Sequence, residues 1–283
     1  MLDLAAGYVE TATEPQAWRI DFVEDSKFAP HGVETIEIAE PRNVTAVLIP
    51  MSLSLALEQT SPHDGILTVV WMPPSVDRGS TVQREAEEWM RQAGEKRKEA
   101  RVRADVRTLR AVWDESRALI YASASDIRYA LDAIVRFSVA QKEAHALETT
   151  MKSAWASIEA DAGLTHAVTK RQQKRQRHVN EMTEIATRMK VTWLRVSRSI
   201  EQLDPAIPAP SKRLFAELVS ASSLFDRVEM LEDPVQFALD HYEISNTRLI
   251  ETGLARTERL SSIFGYGIII VLLLIQLAIM WPR

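Results

Sequence analysis

Residues 264–281 read FGYGIIIVLLLIQLAIMW, a run without charge near the C-terminal end of a 283-residue chain. A helix over this stretch rises about 1.5 Å per residue and so spans about 27 Å, close to the thickness of a bilayer's hydrocarbon core. Summed on an insertion scale, about eleven Leu, Ile, Val and Phe contribute roughly −3 to −7 kcal/mol, more than the lone Gln276 takes back. A core helix of a soluble domain has similar composition, but it carries a polar stripe that this run lacks. The stretch reads as a transmembrane helix.

The rest of the chain sets what that helix holds. With 26% charged and 46% hydrophobic residues, the segment anchors a folded and otherwise soluble body. A net charge of −5 argues against general nucleic-acid binding, which needs a basic surface to neutralise phosphate. There is no cysteine, which removes disulfides, thiolate catalysis and cysteine-based zinc sites and suits a reducing compartment. The opening MLDLAAGYVETATE lacks the basic and apolar regions of a secretory signal. Upstream of the apolar run lie Arg248, Arg256 and Arg259, against Arg283 alone downstream, and the positive-inside rule keeps the Arg-rich side cytoplasmic. The expectation is a tail-anchored, single-pass protein of an inner or plasma membrane, with its N-terminal body cytoplasmic, a short C-terminus outside and late insertion.

Working back from the anchor, the pattern divides the chain into three parts: 1–123, 124–262 and 263–281. In the first, alternation in AWRIDFVED (17–25) puts Trp18, Ile20 and Phe22 on one face of a strand. Further strands are expected at 33–38, 44–49 and 65–72, with 52–59 readable as helix or strand. Thr81 is expected to cap a helix running to about Arg101, acidic early and basic late. Alternation over 106–113, a turn at Glu115-Ser116 and an apolar 118–121 then suggest a hairpin. This makes a small α/β domain with a mostly antiparallel sheet.

From Ser125, helical spacing takes over. Ile127, Leu131, Ile134, Leu147, Met151, Trp155 and Ile158 predict one helix of about 35 residues, ending before Gly163. A second long helix is expected over 165–203, with Ile185, Met189, Trp193, Val196 and Ile200 on its apolar face. After the proline-rich turn 204–210, Ser211 should cap a shorter helix whose face is Leu214, Leu218, Ala221, Phe225, Val228 and Leu231. Asp233-Pro234 marks another start, N-cap followed by proline. With Val235, Leu239, Tyr242, Leu249 and Leu260 on one helix continuing into the membrane, it would be about 48 residues long, Gly253 being its weakest point. The overall class is α+β: an α/β domain, then long antiparallel, coiled-coil-like helices ending in one transmembrane helix.

Few features carry chemistry. Lys170, Arg171, Lys174, Arg175 and Arg177 form a basic cluster suited to anionic headgroups, nucleic acid or an acidic partner, although a solvated helix face is the more ordinary reading of it. Gly265 and Gly267 frame a GYG resembling a potassium-filter tripeptide, but a filter needs a re-entrant loop and a second span. Close helix approach or a bend at the interface is the simpler role, and Gln276 either bonds across an oligomer or is a tolerated amide. The histidines are scattered and HExxH, GxSxG and phosphate-cradling loops are absent. The reading therefore includes no catalytic residue, no cofactor, no metal and no enzyme activity. It leaves as partners the lipid bilayer and either copies of the chain or another membrane protein.

Residues 203–205 (LDP), 226–234 (DRVEMLEDP), 246–249 (NTRL) and 258–263 (ERLSSI running into the anchor) make the C-terminal half resemble the required-for-meiotic-nuclear-division and Sad1-interacting-factor family. That resemblance implies an α/β N-terminal part, long helices, one C-terminal membrane helix, and tethered scaffolding or assembly. SIFGYGII stands here in place of that family's acidic-aromatic membrane entry. The order of elements is also similar to CorA-type magnesium transporters. Those use two spanning helices joined by a GMN turn, and this chain has one helix and no GMN.

Overall fold

The computed structural model describes residues 14–24, 33–58, 65–77, 79–94, 101–166 and 175–280. The fold is α+β, and the chain divides into two compact units, 1–148 with 192–232 and 149–191 with 233–283. The sequence boundary at 123 falls where strands give way to helices, between β7 and α3, whereas 262 falls inside the continuous α7. The compact units instead divide the two long helices, because each such helix buries different stretches of its length in different cores.

The first unit is built on a seven-stranded sheet ordered β2-β3-β1-β4-β7-β6-β5. Its strands are β1 (Gln16–Val23), β2 (Glu34–Ile38), β3 (Val44–Met51), β4 (Ile66–Met72), β5 (Val102–Val106), β6 (Leu109–Asp114) and β7 (Arg117–Tyr121). All neighbours are antiparallel except β4 and β7, which run parallel with Val70 opposite Leu119. That pair is central, and ILTVVWM of β4 is buried along almost its whole length, as a strand covered on both faces requires. On one face α1 (Leu53–Glu58) and α2 (Thr81–Gly94) close a core of Val70, Met72, Trp89, Met90 and Leu119. The first part of α3 (Ile127–Asp161) supplies Phe137, edge-on to the Trp113 ring at 4.9 Å. Trp71 and Trp113 are fully buried. Each indole N–H finds an acceptor, Trp71 on the Ala122 carbonyl at 2.8 Å and Trp113 on the Ser138 hydroxyl at 2.7 Å, so neither buries an unmet donor.

Local details differ from the sequence reading for identifiable reasons. Ser80, rather than Thr81, caps α2: its Oγ accepts from the Gln83 N–H at 3.2 Å, while the Gln83 side chain accepts from the Gly79 N–H at 2.9 Å. This is the reciprocal logic of a capping box. The alternation over 106–113 hides a turn at 107–108, where Arg107 has φ of 53° with no Gly or Asn to announce it. That extra turn adds β5, so a three-stranded meander replaces the single hairpin. The expected helix face from Leu214 to Leu231 is two helices, α5 (Ala209–Ala221) and α6 (Leu224–Glu229), broken at Ser223 in the left-handed region (φ 49°, ψ 31°). Helix α5 begins after Pro208, and Ser211 is a buried residue inside it. The helix expected from 165 is α4 (Gln176–Glu201). A 3₁₀ turn at Ala162–Thr165 follows α3, and residues 167–174 lie outside the described part.

The second unit consists of the end of α3, the first part of α4 and α7 (Glu232–Met280). Pro234 falls inside the first turn of α7, where the amide it lacks has no intrahelical partner anyway. Buried residues recur at alternating steps of three and four: Met151, Ala154, Ile158 and Asp161 on α3; Val179, Met182, Ala186 and Met189 on α4; Val235, Ala238, Tyr242, Ser245 and Leu249 on α7. This is the seam pattern of helices packed like a coiled coil. Trp155, expected on the inner face, is one step off the seam and 41% exposed. Ala154 takes the inner position, and the Trp155 indole donates to Glu159 at 2.7 Å on the flank. Helix α7 has 49 residues and rises about 74 Å in all, unbroken through Gly253.

Candidate functional site: a buried carboxylate layer and an exposed apolar helix

One position of the α3 seam is occupied by a carboxylate. Asp161, the last residue of α3, has no exposed surface. A charge in that position is costly unless it is paired and hydrogen-bonded, and both neighbouring helices supply partners. Arg175, the residue before α4, pairs through Nη2 with Asp161 Oδ1, and in the first turn of α4 His178 Nε2 lies 2.8 Å from Oδ2. From α7, the Tyr242 hydroxyl donates to the same Oδ2 at 3.2 Å. The adjacent His241 bonds the Asp161 main-chain carbonyl. A further polar contact binds α4 to α7, the Gln176 side chain donating to Asn246 Oδ1 at 2.6 Å.

The electrostatics follow from burial. Desolvation pushes the Tyr242 phenol well above 10, and the Asp161 charge adds to that effect; the hydroxyl stays protonated and serves as a donor. Desolvation pulls the His241 imidazole below 6.5, more than Asp161 pulls it back. Its Nε2 is buried without a hydrogen-bond partner among the described residues, while its ring stacks on Phe237 at 6.0 Å and meets Tyr242 edge-on at 5.0 Å. Chemically the layer is a charge-compensated clamp tying three helices at one level. Among the described residues no group of three or more His, Cys, Asp or Glu is placed to hold a metal ion.

The residues singled out from the sequence distribute unevenly around this layer. Arg175, a member of the basic cluster, turns inward to Asp161, whereas Arg177 is 92% exposed and pairs with Glu181 at 3.0 Å. Lys170, Arg171 and Lys174 lie outside the described residues. Asp161, His178, His241 and Tyr242 were not picked out as a site. The signal available was a charge at Asp161 in step with Met151, Ala154 and Ile158, visible once the seam is phased in threes and fours.

The other candidate is the far part of α7. From Ile263 to Ile275 its large apolar side chains are 50–73% exposed, and the helix is long and apolar enough to cross a membrane, with none of its apolar window buried. Gly265 and Gly267 stand two residues apart, about 200° around the helix, so they occupy different faces. Nothing lies within 4 Å of where a Cβ would be at either. Gln276 is exposed on the same stretch. The helix passes through the GYG without interruption.

No protein-family model matches this chain, so the resemblance carried by DRVEMLEDP, NTRL and ERLSSI stays a similarity of motifs. No curated protein matches it either. Among solved structures it is similar to the full-length CmaX protein, at 10% identity over 93% of this chain and 87% of that one, with a TM-score of 0.34. So loose a likeness transfers no function.

Proposed function

We propose that this chain is a single-pass, C-terminally anchored membrane protein whose body stands on the cytoplasmic side as an oligomerising scaffold or assembly factor, without enzyme activity of its own. The observation carrying this reading is α7. One unbroken helix supplies both a seam packed against α3 and α4, at Val235, Ala238, Tyr242, Ser245 and Leu249, and the exposed apolar stretch beyond Ile263. Such a helix couples the body to the bilayer without a flexible joint. Arg248, Arg256 and Arg259 just before the apolar stretch favour a cytoplasmic body. The partners are the bilayer itself and further copies of the chain or another membrane protein.

The absence of native cysteine gives a clean test. A cysteine placed at the exposed Glu243 should escape an impermeant maleimide in intact cells and react after lysis; labelling in intact cells reverses the orientation. Crosslinking of the full-length protein in native membranes should give discrete oligomers or one defined partner. A strict monomer with no partner removes the scaffold reading.

The continuity of α7 also favours a second reading, a subunit of a CorA-like oligomeric cation channel, in which the body's state is passed along a stiff helix to a pore formed by several copies. Ion flux into liposomes containing the purified protein tests it directly. No flux for any cation eliminates it.

A further inference from the structure

The clamp around Asp161 contains one group whose charge state it does not accommodate. His241 lies on the inner side of α7, 6% exposed, with its ring bonded to the Asp161 carbonyl and its Nε2 unpartnered among the described residues. Among the described residues, the charged and titratable groups around it are Asp161 from α3, Arg175 just before α4, His178 in the first turn of α4, and Tyr242 beside it on α7. Asp161 is the only anion in this set and already balances Arg175. A proton added to His241 therefore meets no further negative charge among these groups, and its Nε2–H has no acceptor among the described residues. Phe237 offers a ring face to the cation, but only on one side. His178 differs in that its side chain is 39% exposed and reaches water.

We propose that this layer is a pH-sensitive latch on α7: proton uptake by His241 at acidic pH loosens α7 from α3 and α4, freeing the helix that continues into the apolar stretch. The direction follows from linkage. A histidine whose value is depressed in the closed form takes up its proton more readily once open, near 6.5. The closed form is thus favoured fully above about 6.5 and loses ground as pH falls from there towards the depressed value, by about tenfold in the closed-to-open ratio per unit of depression. Tyr242, raised by burial, stays neutral across that window in the closed form.

The test uses the full-length protein in lipid nanodiscs, diluted with unlabelled chain so that only intramolecular distances are read. Spin labels go on Asn180→Cys in α4 and Glu243→Cys in α7, both exposed positions, with no native cysteine to interfere. The expected result is a narrow α4–α7 distance distribution at pH 7.5 and, at pH 5, a clearly increased longer component that reverses on return. His241→Phe, or His241→Gln if the phenylalanine variant is broad at both pH values, should abolish the pH response, and His178→Gln should leave it. An unchanged wild-type distribution down to pH 5 overturns the proposal. So does a response that survives both His241 variants or one that vanishes in His178→Gln. Since the distances are intramolecular, a monomeric protein would defeat the scaffold reading without affecting this result.

Discussion

Replacing Asp161 with alanine probes the layer most directly, and its cost can be worked from the geometry. The Tyr242 hydroxyl, on a fully buried residue, loses its acceptor, which costs about 1–3 kcal/mol for a buried donor left unmet. Arg175 and His178 also lose their partner, but each side chain is 39% exposed and can turn to water, so each loss is discounted to about 0–1 kcal/mol. The sum is about 1–5 kcal/mol, reaching at its upper end the roughly 3–5 kcal/mol typical of breaking a fully buried ion pair. For a chain of this size it corresponds to a fall in melting temperature of about 2–20 °C. The assay is thermal unfolding of the full-length protein in mild detergent at pH 7.5, followed by the helical circular dichroism signal. Tyr242→Phe completes a cycle: alone it costs about 1 kcal/mol, but in the Asp161→Ala background it removes the orphaned hydroxyl and recovers stability, a coupling of about 1 kcal/mol or more. A loss under about 1 kcal/mol for Asp161→Ala, or strict additivity with Tyr242→Phe, refutes the account of the layer as a clamp.

Other parts of the molecule give independent tests. Ser80→Ala should destabilise α2 by about 1 kcal/mol in the same melting assay, whereas Thr81→Ala should be near neutral, because only Ser80 caps the helix. Burial and the neighbouring Glu87 push the Tyr121 phenol up to about 12. This raised value makes the folded state hold its proton above pH 10 where the unfolded chain releases it, so stability falls between about pH 10 and 12. An ultraviolet phenolate titration of wild type against Tyr121→Phe checks it. Leu272→Arg places a charge near the middle of the apolar stretch at about 2.5–3.5 kcal/mol of insertion free energy; combined with Ile269→Arg it should release the protein from membranes in carbonate extraction.

Much of this fold was legible because its signals are periodic and local. Strand alternation in 17–23, the unbroken apolar β4, the 35-residue α3 and the continuous α7 each follow from the spacing of apolar residues, which depends only on backbone geometry. The misses lie where the backbone departs from its period without a warning residue. Arg107 and Ser223 adopt positive φ with no glycine, so the 107–108 turn and the α5–α6 break were invisible to rules that look for Gly, Asn or Pro. Of the candidate site residues, Arg177 is found exposed, as a solvated face requires. Arg175 is drawn inward by a carboxylate fourteen positions away, and nothing local to it announces that pairing.

What the sequence determined by itself about this protein is therefore its class and a candidate membrane span: alternating strands, long helices, and an apolar run whose length and lack of charge match a bilayer whatever the rest of the chain does. What only the tertiary structure decided is the layer at Asp161. A buried charge is tolerable only where donors from other helices converge on it, and that convergence of Arg175, His178 and Tyr242 depends on the registers of α3, α4 and α7, which no single stretch of sequence encodes.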